Sequence, residues 1–73
     1  MNETQPLHWR KFSPVDREQP IFELVDVDIV ILDITRSDGA VEIAFHQGAA
    51  GRTFDFDTLR TLLDEGKRLA FEG

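Results

Sequence analysis

The residues best suited to chemistry in this 73-residue chain are carboxylates that stand two positions apart. Asp26 and Asp28 form one such pair, with Glu23 close before them, and Asp55 and Asp57 form another. Residues two apart share one face of a strand, so the first pair sets two negative charges side by side. This pattern suits a divalent metal, a docking surface for a basic protein, or charged protection of an aggregation-prone strand.

Metal binding is the least supported of these interpretations. A calcium loop needs oxygen ligands at several fixed positions around a central glycine, and neither Asp26 nor Asp38 begins such a loop. The chain has no cysteine, and its two histidines, His8 and His46, are far apart in the sequence. We therefore expect no metal site and no cofactor.

Catalytic groups are also poorly supported. Ser13 and Ser37 do not stand in a nucleophile elbow, and His46 is expected to face outward without an orienting partner. Asp55 and Asp57 are better explained as caps of a following helix than as a glycosidase pair, since so short a chain has little room for a cleft. We expect no catalytic residues and predict that the protein is not an enzyme.

The charge distribution favours a basic protein partner. The net charge is −6, residues 1–20 carry equal numbers of acids and bases, and the whole excess lies in residues 21–73. An acidic body repels nucleic-acid phosphates and anionic membranes, so we expect neither as a partner. Glu23, Asp26 and Asp28 are the predicted partner-binding residues. The alternative is that these acids only protect the apolar run that follows them, or only keep the protein soluble.

A second candidate contact lies near the amino terminus, where Trp9, Arg10 and Lys11 combine an aromatic ring with two positive charges. Such a group suits stacking on a base or pairing with an acidic surface. The competing interpretation is that Trp9 caps the sheet while the two charges remain in water. The acidic body makes nucleic-acid binding through this group the weaker alternative.

The elements that would position these residues centre on a β-hairpin. Residues 21–35 are rich in β-branched residues and predict either one strand bent near residues 25–28 or two short strands. Asp38-Gly39 is a hairpin turn signal, and residues 40–46 alternate cleanly. A two-residue loop would set Ile34 opposite Ile43, and a four-residue loop would set Ile34 opposite Val41. Both registers keep the same faces together.

The other predicted elements are shorter or less regular. Leu7 to Phe12 could form an edge strand between prolines, and residues 52–56 could form a short strand. A helix is predicted over residues 57–70, with Leu59, Leu62 and Leu63 on its core face. Gly66 would either end this helix or allow it to pack closely on the sheet.

Together these elements predict an α+β fold: a small antiparallel β-meander of three to four strands with one C-terminal α-helix packed on one face. Residues 1–20 are predicted to be an N-terminal arm or linker, and residues 21–73 a single α+β domain. Because one helix covers one face only, Ile29 and Ile31 on the other face would need the arm or a second subunit over them.

The function that these observations favour is a non-enzymatic protein-interaction module, of adaptor or inhibitor type. It would dock a basic protein through an acidic sheet surface. The first alternative is a homodimer with a structural or accessory role, and the second is a small ligand-binding or enzyme subunit. The first twenty residues have no apolar leader and no apolar run is long enough to span a membrane, so a cytoplasmic location is expected.

Overall fold

A computed structural model describes residues 7–16 and 18–72 as a four-stranded sheet with one long helix. The elements, in chain order, are β1 (Leu7–Phe12), β2 (Ile21–Asp26), β3 (Ile29–Ser37), β4 (Ala40–Phe45), a 3₁₀ turn (Gln47–Ala49) and α1 (Phe56–Glu72). The strands are antiparallel and lie in the order β1-β2-β3-β4. The predicted α+β meander with a C-terminal helix is confirmed.

The β3–β4 hairpin has the two-residue loop that its sequence predicted. Asp38 and Gly39 have φ angles of 53° and 82°, as a turn with two left-handed central residues requires. Ile34 lies opposite Ile43 and Leu32 opposite Phe45. This register therefore holds, and the four-residue alternative does not.

Residues 21–37 form two strands joined at Val27 and Asp28, which is one of the two predicted outcomes. Leu24 lies opposite Leu32 but Val25 lies opposite Val30, so Ile31 is an extra residue in β3. Ile31 has no exposed surface and belongs to the same buried cluster as Leu24 and Leu32. The uncovered apolar patch that the sequence indicated is therefore reduced to Ile29, which is 47% exposed.

The core lies between α1 and the face of the sheet to which alternate residues of β2 and β3 point. Phe22, Leu24, Leu32 and Ile34 form its floor, and Ala70 closes it from the helix. Leu59, Leu62 and Leu63 pack against this cluster, as predicted. Since α1 packs mainly on β2 and β3, the edge strand β4 is only partly covered. Ile43, expected to be a core residue, is 43% exposed for this reason.

The helix begins earlier than predicted and is not interrupted by its glycine. Residues 52–55 are irregular and Phe56 is already helical, so the predicted short strand over residues 52–56 was wrong. A Cβ added to Gly66 would lie 2.5 Å from Cζ2 of Trp9 and 2.7 Å from Cδ1 of Ile34. The glycine therefore allows close packing of helix on sheet, which is the second of the two roles considered for it.

The two edges of the sheet differ in how they are protected. β1 carries the exposed Arg10 and Lys11 and is soon followed by Pro14, and both features discourage pairing with another strand. β4 has neither a proline nor a basic residue, and Glu42 is its one charge. No residue in the described part of the chain pairs with its outer side.

The hairpin also fixes which backbone groups that outer side presents. A two-residue loop makes Ser37 and Ala40 a hydrogen-bonded pair, after which bonded and non-bonded pairs alternate along the strands. The N–H of His46 donates to the carbonyl of Ile31 at 2.9 Å, which fits this alternation. The N–H and C=O groups of Val41, Ile43 and Phe45 therefore point away from β3.

Candidate partner-binding surface

The structure does not bring the three predicted partner-binding acids onto one surface. Glu23 alternates with the buried Phe22 and Leu24, so it faces away from the helix. Asp26 lines a cavity beside the first turn of α1, and Asp28 is exposed in the β2–β3 turn. The role of these acids in binding stays a prediction, without a common face to support it.

Two of these three acids are also neutralised by arginines. Arg10 binds Glu23 across β1 and β2 at 2.7 Å, and the Glu23 side chain is 17% exposed. Arg52 binds Asp26, whose side chain is 18% exposed. Charges held this closely have little long-range attraction left for a partner.

Trp9 and Arg10, which were predicted to form one contact of the arm, also lie on different faces of the sheet. Trp9 lies opposite Leu24, on the helix-covered face, and its Nε1 donates to the carbonyl oxygen of Leu62 at 3.0 Å. Arg10 points to the other face, where it binds Glu23. The ring therefore caps the core, and it shares no surface with the neighbouring Arg10.

One pair that sequence reasoning missed lies on the helix-free face. Nε2 of His46 is 2.7 Å from Oδ2 of Asp33, so the expectation that His46 has no orienting partner was wrong. Asp33 lies opposite Ala44, and the diagonal neighbour on the same face is His46. The two-residue hairpin register, once chosen, would have predicted this contact.

The start of α1 is a well-built cap. Asp55 accepts hydrogen bonds at 2.9 Å from both the backbone N–H and the hydroxyl of Thr58. These bonds, the one from the backbone N–H first, lower the pKa of Asp55 below its ordinary value of 3.8. Asp55 also lines a cavity of about 330 Å³ in which Arg52 already neutralises Asp26. The predicted capping role thus accounts for Asp55 without a ligand.

An uncovered surface with mostly apolar walls lies between the helix and the edge strand. A depression of about 430 Å³ has Val41 and Ile43 on one wall and Leu63 and Phe71 on the other. A second depression, of about 220 Å³, adjoins it at Leu63 and runs towards the helix start. We call both together the α1–β4 groove. It is lined by Ile34, Gly39, Ala40, Val41, Ile43, Phe56, Leu59, Arg60, Leu63, Asp64, Lys67 and Phe71.

Large apolar side chains are exposed in and beside this groove. Phe56 is 75% exposed, Phe71 is 47% exposed, and Phe45, which follows Ile43 on the same face of β4, is 69% exposed. At roughly 200 Å² for each ring, these three phenylalanines alone expose about 380 Å². Large exposed rings spaced along one groove are typical of a binding surface.

Charged side chains of both signs border the groove. Asp64 lines both depressions and Asp38 precedes the β4 wall, whereas Arg60 and Lys67 also line the groove and Arg36 lies over the ring of Phe71. None of these five side chains forms an ion pair with another described residue. Their fields are therefore available to an approaching molecule.

The chain matches no family model, no curated protein and no solved structure. Function must therefore be argued from the groove and the sheet edge. Within residues 7–16 and 18–72, no cluster of three or more potential metal-ligating side chains is present. In the same residues, no helix is long and apolar enough to cross a membrane.

Proposed function

We propose that the protein is a non-enzymatic interaction module that holds a basic protein partner in the α1–β4 groove. The observation that carries this proposal is the exposed apolar floor between α1 and β4 on a chain with a net charge of −6. The kind of function is the one that the sequence favours. The surface is different, because Glu23, Asp26 and Asp28 do not converge.

The apolar part of the groove supplies the affinity in this proposal. Phe56 and Phe71 are fixed at their backbones by a continuous helix, and Ile43 by a strand. Apolar side chains on rigid elements lose little conformational freedom when a partner covers them, so more of the burial energy remains for binding. Leu63 lies where the two depressions meet and is the natural centre of the contact.

The net charge of the chain selects the sign of the partner's charge. The chain has a net charge of −6, and near the groove Asp38 and Asp64 form no ion pair with another described residue. A segment with an apolar face flanked by lysines or arginines complements this surface, whereas an acidic segment is repelled. Such charges act mainly on the association rate, and salt weakens them over about 8–10 Å.

The proposal is tested with two synthetic amphipathic peptides that share a leucine face and differ only in carrying lysines or glutamates. Amide chemical shifts of the isotope-labelled protein should change around Ile43, Leu63 and Phe71 with the lysine peptide and hardly at all with the glutamate peptide. Shifts concentrated at Glu23 and Asp28 instead, or equal responses to both peptides, would contradict the proposal.

Matched variants separate binding in the groove from non-specific binding to exposed rings. Phe56→Ala removes an exposed ring from the groove, and Phe12→Ala removes a ring that is 50% exposed in β1, at the opposite edge of the sheet. The first should weaken binding of the lysine peptide at least about fivefold, as loss of an interface anchor does. The second should leave binding unchanged.

A further inference from the structure

We infer that two copies of this chain join edge to edge through β4, so that their two α1–β4 grooves merge into a single trough. The nature of the ligand in that trough rests on the proposed function. The pairing of the two edges rests on the backbone and side chains of β4 alone.

The first argument is that β4 presents an unprotected edge. The N–H and C=O groups of Val41, Ile43 and Phe45 point outward, and no described residue receives them. Proteins usually blunt such an edge with lysine, proline, a bulge or a covering loop. β1 has basic side chains and a nearby proline, whereas β4 runs as Ala-Val-Glu-Ile-Ala-Phe, with Glu42 as its one charge and no lysine, proline or bulge.

The second argument is that β4 is complementary to itself in one antiparallel register. A two-fold axis at Ile43 sets Ile43 opposite Ile43 of the second copy and Val41 opposite Phe45. All the outward backbone groups of these residues then find partners. On the other face, Glu42 lies opposite Ala44, so no acid meets an acid.

The neighbouring registers are worse for definite reasons. A two-fold axis at Glu42 would set the two Glu42 carboxylates directly opposite each other, which is destabilising. An axis at Ala44 would set Val41 opposite Gln47, which lies in the 3₁₀ turn and is not extended. The register centred on Ile43 is therefore the one that pairs the most backbone groups without a charge conflict.

The third argument is that the pairing completes the groove. Because α1 lies over β2 and β3, each helix axis would stand about two strand spacings from the two-fold axis. With strands roughly 4.8 Å apart, the two helix axes would be about 19 Å from each other. Subtracting a helix diameter of about 10 Å leaves a gap of about 9 Å, close to the width of one further helix.

This geometry indicates the shape of the partner that would fit. The floor of the trough is formed by Val41, Ile43 and Phe45 of both copies, and its walls by the two helices with Leu63 and Phe71. A single copy supplies one wall only, so the site is incomplete in a monomer. The fitting occupant is an amphipathic helix whose flanks are basic.

Dimerisation and binding of the basic helix should respond to salt in opposite ways. Two copies with a net charge of −6 each repel, so screening by salt should strengthen the dimer. Binding of a basic helix should weaken with salt for the opposite reason. Sedimentation equilibrium of the protein alone should show a monomer–dimer equilibrium whose dissociation constant falls as sodium chloride rises.

The decisive comparison uses two variants with the same chemical change. Phe45→Lys puts a positive charge on the β4 edge, and Phe12→Lys puts one on β1; both rings are at least half exposed, at 69% and 50%. Both variants reduce the net charge equally, so general repulsion falls by the same amount. Phe45→Lys should raise the dissociation constant of the dimer at least about tenfold, whereas Phe12→Lys should not raise it.

Ile43→Pro is a second probe, because it removes an N–H that points outward and costs β3 no hydrogen bond. Circular dichroism establishes that each variant is folded. The inference is overturned if the wild type stays monomeric at protein concentrations up to about 1 mM, where even a weak dimer would form. It is also overturned if a folded Phe45→Lys protein dimerises as well as Phe12→Lys.

The same samples, titrated with the lysine peptide, keep the two proposals distinct. A monomer whose groove shifts on addition of the peptide would overturn the dimer and leave the proposed function intact. A dimer that responds equally to the lysine and glutamate peptides would establish the edge pairing and overturn the basic partner.

Discussion

Gly66→Ala should destabilise the protein, although the same change on an exposed helix would stabilise it. Gly66 is buried near the middle of α1, where an added Cβ would lie 2.5 and 2.6 Å from two ring carbons of Trp9 and 2.7 Å from Cδ1 of Ile34. Ordinary contacts of a Cβ begin at 3.4 Å. The helix must therefore move outward by most of an ångström, or the indole ring must leave its position.

The two opposing terms can be compared in size. Alanine is better than glycine in a helix by about 1 kcal/mol. Overpacking of a core costs typically about 1–3 kcal/mol, and loss of the Trp9 Nε1 bond to Leu62 adds about 0.5–1.5 kcal/mol. The expected net loss in the free energy of unfolding is roughly 1–3 kcal/mol, a large part of the stability of a small domain.

Urea denaturation followed by circular dichroism measures this loss. Trp9 is the single tryptophan, so its fluorescence in the same titration reports directly on the contact. The control is a double-mutant cycle with Trp9→Phe, which shortens the ring that the new methyl group meets. Gly66→Ala should cost less in that background than in the wild type. A Gly66→Ala protein more stable than the wild type would refute the close helix–sheet approach.

Three further predictions concern local features. Val27 has a φ angle of 58°, which is unfavourable for a β-branched residue. Because its side chain is also 69% exposed, Val27→Gly loses little packing and should raise the free energy of unfolding by roughly 1 kcal/mol. Val15→Gly, at a residue with no such angle, should not raise it, and equal urea midpoints for both variants would count against strain at Val27. Leu24→Ala should lower the free energy of unfolding by about 2–5 kcal/mol because Leu24 is fully buried, and Ile43→Ala should lower it clearly less because Ile43 is 43% exposed. Similar losses for the two variants would mean that α1 covers more of β4 than described. The lowered pKa of Asp55 means that its ionised form stabilises the helix start fully above the ordinary value of 3.8, and that this stabilisation is lost as the pH falls through the lowered folded-state value. Asp55→Asn keeps a capping oxygen but cannot titrate, so acid denaturation of this variant should lack that component; identical pH profiles for variant and wild type would contradict the cap.

The hairpin and the helix could be predicted because each depends on residues near one another in the sequence. Asp38-Gly39 specifies a turn through its backbone freedom, and the alternation after it sets the faces. The spacing of Leu59, Leu62 and Leu63 specifies one side of a helix. Both signals are independent of how the finished elements lie on each other.

The proposed binding surface could not be predicted in the same way. The exposure of Ile43 depends on where α1 crosses the sheet, and that crossing is fixed by the contact of Gly66 with Trp9. Glu23 and Asp26 lose their free charge to Arg10 and Arg52, which are far from them in sequence. A turn at Val27 and an extra residue at Ile31 decide which acids share a face, and neither has a turn signal such as Asp-Gly.

The unlike edges of the sheet also bear on how far self-assembly can proceed. A sheet with two receptive edges adds copies head to tail without end, which is the geometry of a fibril. Here Arg10, Lys11 and Pro14 guard one edge, and only β4 is open. The inferred pairing of β4 with itself would use the open edge of both copies at once. Growth would therefore end at the dimer, and a chain with one unprotected edge strand would avoid polymerisation because its other edge does not pair.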